Sequence, residues 1–125
     1  MTQWFAKATS DLRAAKALAD FEEHFFEQTC FLAQQAAEKA IKGFLAFHKI
    51  RFDNTHDIEM LLNLVKTVNP LLTNSSIEGH ELTVYAVRIR YPQQVDPKPL
   101  DEHDVTRALA LADRIVAEFI KSVGS

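Results

Sequence analysis

The sequence has little cysteine, proline or glycine, and these shortages exclude several classes of protein. Its one cysteine, Cys30, cannot form an internal disulfide, so a disulfide-stapled secreted domain is excluded and a cytoplasmic setting is expected. Only 3 glycines and 4 prolines occur, which excludes collagen-like and low-complexity chains. No apolar run approaches the roughly 20 residues that a membrane-spanning helix needs. The first residues, Met1 to Trp4, do not resemble a signal peptide.

The chain also has little excess charge. Its 14 Lys and Arg against 17 Asp and Glu give a net charge of −3, which argues against sequence-blind binding to nucleic acid but permits a local basic site. With 47% hydrophobic residues, a chain of 125 residues can bury a core without disulfides or metal. We therefore expect one domain over residues 1–125.

Apolar residues recur at spacings of three and four along most of the chain, the period of a helix with one buried face. The second segment is apolar over more than half of its circumference and is predicted to be the central helix, with a polar strip of Gln35, Glu38, Lys39 and Lys42. The fourth segment also suits a strand, because it is rich in β-branched residues. The predicted fold is all-α, an up-and-down four-helix bundle with a short additional helix. The first two predicted segments are residues 2–20 and 22–49. The third runs from the cap signal Asn54-Thr55 to just before Asn69-Pro70. The fourth runs from about Ser75 to Tyr91, and the fifth begins at about Asp101.

Two candidate reactive sites have simpler explanations. Glu23, His24 and Glu27 could hold a divalent ion, but an acidic helix start is also favoured by the helix dipole. Cys30 could be a nucleophile, but it lies on the apolar stripe, where a thiol is usually a packing residue. We therefore predict no catalytic residue, no metal site and no cofactor.

Positive charge is concentrated in two places. The stretch from Lys39 to Arg51 contains four cations and no acid, and Arg88 and Arg90 lie beside Tyr91. If the second and fourth helices are neighbours, Lys39, Lys42, Arg88 and Tyr91 can surround one phosphate. Arginine supplies a planar fork for the phosphate, and tyrosine can stack on a base. The alternative is a solvated basic flank paired with acids of another helix. The predicted phosphate-binding residues are Arg88, Arg90, Tyr91, Lys39 and Lys42.

The nine phenylalanines are many for a chain of this size, and seven of them lie between Phe21 and Phe52. Not all of these rings fit one small core. We predict that some form a homodimer surface, because exposed aromatic patches usually mark contacts. The alternative is a wide core covered by the other helices.

The motif CFLAQQAAEKAIKGFL at residues 30–45 resembles the central helix of HEPN domains. Three further features occur in the order found in that family: Trp4 with Asp11-Leu12, the THDI sequence at residues 55–58, and Arg90-Tyr91-Pro92. The resemblance covers about residues 3–121. It implies a five-helix HEPN bundle, usually a homodimer, often encoded beside a minimal nucleotidyltransferase in prokaryotic toxin–antitoxin-like pairs.

Many HEPN relatives are metal-independent ribonucleases that use an arginine followed, four to six residues later, by a histidine. The matching place here, residues 88–96, holds no histidine, and His103 is thirteen residues beyond Arg90. Arg51 and His56 have the formal spacing, but they precede the third helix, so we interpret His56 as part of a cap region. The sequence therefore predicts a non-catalytic module that binds nucleotide or RNA phosphate. The alternative is a metal-independent endoribonuclease toxin.

Overall fold

The computed structural model describes residues 3–21, 25–53, 55–70, 72, 81–82 and 100–124, and these ranges contain four helices. They are α1 (Gln3–Ala19), α2 (Phe26–Phe47), α3 (Ile58–Lys66) and α4 (Glu102–Gly124). The described ranges contain no strand, and the predicted all-α bundle is confirmed. Glu81 and Leu82 are also helical, whereas the rest of the predicted fourth segment lies outside the described residues.

Helix α2 is the centre of the bundle, as its two-sided apolar pattern predicts. It packs most extensively against α1 and α4, and also contacts α3. Its buried positions include many alanines, and small side chains let the neighbouring helices approach closely. The fully buried alanines of α2 are Ala33, Ala36, Ala37 and Ala40.

Two aromatic contacts join α2 to its neighbours. The rings of Phe44 and Phe119 meet edge to face, with centroids 5.2 Å apart, and connect α2 to α4. On the other side, Phe5 of α1 lies directly over Gly43. A Cβ atom added to Gly43 would lie 2.7 Å from Phe5 Cε1, so only glycine fits under this ring. The glycine inside the central helix therefore allows Phe5 of α1 to lie close to the α2 backbone at this position.

Two residues beyond the end of α2, Lys49 adopts the left-handed conformation, with a φ of 58°. The Lys49 N–H donates to Ala46 O at 3.0 Å, and the Ile50 N–H donates to Leu45 O at 2.9 Å. This pair of bonds forms the Schellman motif, whose left-handed position is usually a glycine. A residue with a Cβ is strained there by about 1–2 kcal/mol.

The start of α3 differs slightly from the prediction. The cap is Asp57, whose carboxylate accepts from the Met60 N–H at 3.2 Å, and not the predicted Asn54-Thr55 pair. Thr55 has a supporting role, because its Oγ1 accepts from the Asp57 N–H at 3.1 Å. Asp57 is the cap because it directly precedes Ile58, the first residue of α3, so its side chain can reach the N–H three residues ahead in the first turn.

A reciprocal cap fixes the start of α4. The Asp104 N–H donates to Asp101 Oδ1, and the Asp101 N–H donates to Asp104 Oδ2, both at 3.0 Å. This arrangement satisfies two backbone donors that have no partner inside the helix. Farther along, Arg107 binds Glu81 through two nitrogens at 2.6 and 3.1 Å, which connects α4 to residue 81. Among the described helices, none is both long and apolar enough to cross a membrane.

Candidate functional site

A buried ionic network lies on the central helix. Glu38 Oε2 lies 3.1 Å from Lys42 Nζ, one helical turn along α2. His56, in the segment before α3, places its Nδ1 3.0 Å from Glu38 Oε1 and 3.1 Å from Oε2. The Glu38 and Lys42 side chains are only 2% and 3% exposed, whereas the His56 side chain is 52% exposed. The network therefore runs from the bundle interior to solvent through one imidazole.

Each of the three side chains in this network has a partner of complementary charge or hydrogen-bonding capacity. A carboxylate can only accept hydrogen bonds, so His56 Nδ1 carries the proton of that contact, and Nε2 is the ring nitrogen outside it. The Lys42 ammonium also lies 5.6 Å from the centroid of the Trp4 ring, which provides a cation–π contact. Burying two charges is expensive unless each is well partnered, and here Glu38 has both a cation and an imidazole.

The polar strip that the sequence places on α2 includes Glu38 and Lys42, and the structure buries both side chains, with Trp4 of α1 against Lys42 and His56 against Glu38. The i,i+4 spacing of Glu38 and Lys42 is the one signal in the sequence that points to their pairing. Nothing in the local pattern shows that a histidine eighteen residues farther along completes the network. His56 is therefore a bonding partner of α2, in addition to lying beside the α3 cap.

The predicted phosphate-binding residues divide into two groups. Lys39 and Lys42 lie on α2 but pair with different acids, because Lys39 Nζ is 2.5 Å from Asp11 Oδ2 of α1. The Lys39 side chain keeps 24% of its surface exposed, in contrast to Lys42. Arg88, Arg90 and Tyr91 lie outside the described residues, so their assignment stays a prediction.

The aromatic excess predicted around α2 is split between core and surface. Phe44 is buried, whereas Phe21, Phe31 and Phe47 are exposed. Phe31 lies on the rim of a shallow, mainly apolar groove of about 470 Å³ between α1 and α2. This groove also includes Leu18 and Leu32.

The remaining candidate reactive residues of the sequence are Cys30 and the group Glu23, His24 and Glu27. Cys30 is fully buried in the core. Glu23 and His24 lie outside the described residues. Within the ranges that the structure describes, no three His, Cys, Asp or Glu side chains are grouped so that they could hold a metal ion.

The described helices form an all-helical bundle around one long central helix, α2, which carries the buried Glu38–Lys42 pair. The HEPN domain model matches residues 1–123, and the chain belongs to the HEPN family.

Two solved structures share this fold over nearly their whole length. One is the crystal structure of an archaeal HEPN homologue, ST0689, with 28% sequence identity and a TM-score of 0.76; the match covers 95% of this chain and 93% of that one. The other is TT1696 from Thermus thermophilus, with 27% identity and a TM-score of 0.76 over 95% and 94% of the two chains. Comparison with curated proteins gave no match.

Proposed function

We propose that this chain is a non-catalytic HEPN module that binds the phosphate of a nucleotide or of RNA. Direct contacts are assigned to Arg88, Arg90 and Tyr91, with the partly exposed Lys39 adding positive charge from the central helix. Lys42, predicted with them, is 3% exposed and paired with Glu38, so it makes no direct contact in this proposal. In this proposal the chain acts in the cytoplasm as a homodimer and pairs with a small nucleotidyltransferase in a toxin–antitoxin-like system. Cys30 is buried and is the single cysteine of the sequence, which fits such a reducing setting.

One observation carries the phosphate-binding proposal. Glu38 is the last acid before Asp53 in the sequence, and its carboxylate is buried and already bound to two partners. Between these two acids in the sequence, the solvent-exposed charges are Lys39, Lys49 and Arg51; Lys39 is paired with Asp11 of α1, whereas no ion pair joins Lys49 or Arg51 to another described residue. A small chain with a net charge of −3 thus has a local positive surface, which attracts anions despite the overall charge.

The absence of a histidine in residues 88–96 supports binding without cleavage. Proton transfer from a ribose 2′-hydroxyl needs a titrating group within hydrogen-bond reach of the reacting atom. Arginine stays protonated and cannot serve as that base.

Endoribonuclease activity is the second candidate, and one contact favours it. The Glu38 carboxylate holds His56 by Nδ1, which leaves Nε2 as the ring nitrogen that can accept a proton. A carboxylate that orients an imidazole in this way is a common arrangement in hydrolytic enzymes. In this alternative, folding or the partner subunit brings such a histidine to an arginine of the dimer.

The homodimer and partner proposals have separate support. Phe31 and Phe47 expose aromatic surface on α2, and the groove beside Phe31 is mainly apolar, as expected for a contact between subunits. Light scattering at micromolar concentration should give twice the mass of 14.2 kDa. A mass of one chain would remove the homodimer. Co-purification with the product of the neighbouring gene tests the nucleotidyltransferase pairing.

The binding experiment uses the purified protein with ATP, GTP and a short single-stranded RNA. Arg90→Ala should weaken binding about ten- to a hundred-fold, because charge-assisted contacts contribute roughly 1.5–3 kcal/mol each. Arg13→Ala, which removes an exposed arginine of α1, is the matched control and should leave binding unchanged. Cleavage of the RNA in EDTA that disappears in His56→Ala or Arg90→Ala would instead establish the ribonuclease.

A further inference from the structure

An open groove of about 720 Å³ lies where α2 ends and α3 passes beside it. Its charged residues come from the segment that joins the two helices: Lys49, Arg51 and Asp53. Its apolar residues include Ile50 and Phe52 from the same segment, with Met60 and Leu64 one turn apart on α3. Small-molecule sites combine an apolar surface with a few polar groups in this way, and have volumes of about 300–1,000 Å³.

The two cations of the groove are not engaged elsewhere in the described part of the chain. Lys39 and Lys42 both have acid partners on α1 or α2, whereas no ion pair joins Lys49 or Arg51 to another described residue. Both side chains are exposed. Two cations two residues apart therefore face an open volume with one acid, Asp53, among its lining residues.

The backbone at Lys49 supplies a second, independent observation. Its φ of 58° is the left-handed conformation that favours glycine, and the two hydrogen bonds of the helix end hold it there. A glycine at this position would relieve the strain but would remove the ammonium group from the groove. Strained residues are concentrated at ligand-binding and catalytic sites, where the side chain is needed.

We propose that this groove binds a nucleoside phosphate, with the phosphate between Lys49 and Arg51 and the base on the apolar strip of Phe52 and Met60. The ligand class rests on the proposed function, but the residues are distinct from Arg88, Arg90 and Tyr91. Lysine supplies a point charge and arginine a planar fork, and both suit a phosphate. Asp53 repels phosphate, so it lies toward the sugar or base, where a carboxylate accepts from hydroxyl or amino groups.

A single nucleotide fits this groove better than a polynucleotide does. Proteins that follow single-stranded nucleic acid use a track of cations spaced along several phosphates, with repeated aromatic stacking. The groove has two adjacent cations and one aromatic ring, Phe52. These groups match one phosphate group and one base.

The test measures binding of ATP and GTP by isothermal titration calorimetry, with adenosine, inorganic phosphate and a short RNA as comparison ligands. Arg51→Ala, Lys49→Gln and Lys49→Gly should each weaken nucleotide binding about ten-fold, the loss of one charge-assisted contact. Lys49→Gln removes the charge but keeps the backbone strain, whereas Lys49→Gly removes both. Weaker binding by a Lys49→Gly protein that melts at a higher temperature therefore excludes unfolding as the cause. Arg13→Ala is the matched control and should bind as the unmodified protein does.

Each outcome separates this inference from the proposed function. Nucleotide binding that weakens in the Lys49 and Arg51 variants, with adenosine and phosphate binding far more weakly, supports the groove. Nucleotide binding that only Arg90→Ala weakens overturns the groove and leaves the proposed function standing. Binding of RNA without binding of ATP or GTP would likewise overturn the groove and leave the proposed function standing. If neither nucleotide nor RNA binds at millimolar concentration, both proposals fail.

Discussion

His56 Nδ1 lies 3.0 Å from Oε1 of Glu38, and this contact joins the segment before α3 to the middle of the central helix. The two residues differ sharply in environment, because the carboxylate is buried while the imidazole is half-exposed. The contact therefore joins α2 to the chain just before α3, where Asp57 caps the helix, while residues 50–53 supply four of the eight residues that line the groove between α2 and α3.

Removing the Glu38 carboxylate should strongly destabilise the fold. Glu38→Ala leaves the Lys42 ammonium buried without its acid, and breaking a buried pair on one side costs about 3–5 kcal/mol. Urea denaturation measures the free energy of unfolding, with Glu27→Ala as the control because Glu27 is an exposed acid of the same helix. The double variant Glu38→Leu with Lys42→Met should recover much of the loss. A Glu38→Ala protein as stable as the control would contradict the network.

Removing the imidazole should have a smaller effect. His56→Ala should lower the free energy of unfolding by about 1 kcal/mol, because a bond to a charged group is weakened by solvent at a half-exposed side chain. A double-mutant cycle with Glu38→Gln isolates the pair, and its coupling energy should be of the same order. Additive effects of the two substitutions would show that the contact contributes nothing.

Lys49→Gly should stabilise the protein. The left-handed backbone strains a residue with a Cβ by about 1–2 kcal/mol, and glycine relieves this strain. The greater freedom of glycine in the unfolded chain opposes folding and cancels about 0.4–1 kcal/mol of the stabilisation. The net increase in the free energy of unfolding is therefore expected to be about 0.5–1 kcal/mol. Lys49→Ala is the informative control, because alanine keeps the Cβ and should give no such gain. Equal stabilities of the Gly and Ala variants would contradict the strain argument.

Gly43→Ala should destabilise the protein even though alanine favours helices. The new Cβ would meet Phe5 Cε1 at 2.7 Å, Phe5 Cδ1 at 2.8 Å and Trp4 Cβ at 3.0 Å, and Phe5 is too tightly buried to move aside. Overpacking of this kind costs about 1–3 kcal/mol. Thermal melts should show a lower midpoint for Gly43→Ala, and the addition of Phe5→Leu should restore part of it. An unchanged midpoint would mean that α1 can shift away from α2 at little cost.

The α4 cap should make stability depend on pH in the acid range. The Asp104 N–H donates to the Asp101 carboxylate and lowers the pKa of that group below its ordinary value of 3.8. A lowered folded-state pKa means that the carboxylate stabilises the protein fully above the unfolded value and loses this effect as the pH falls through the folded value. The melting temperature of Asp101→Ala should therefore lie below that of the unmodified protein by a constant amount at neutral pH. That difference should shrink below about pH 4. A gap that persists at low pH would contradict the ionic origin of the cap.

The local sequence determined the helices and the family. Periodic apolar spacing and abundant alanine define α1, α2 and α4 within a few residues, because a helix that buries one face repeats its apolar side chains every three to four positions. The motif at residues 30–45 identifies the HEPN family for the same reason, since it fixes the polar and apolar identities of one helix face together. The Schellman end at Lys49 has no such signal, because lysine is not the residue that this conformation favours.

Only the tertiary structure decided which polar side chains of α2 are buried. The spacing of Glu38 and Lys42 places them on one face, but it does not show whether that face meets solvent. Trp4 of α1 and His56 before α3 cover that face, and they are distant in sequence from it. Local patterns report the propensity and amphipathicity of one segment, whereas the burial of a charge depends on segments that meet only after folding. Two charged side chains of the polar strip seen in the sequence therefore form a buried ion pair in the folded bundle.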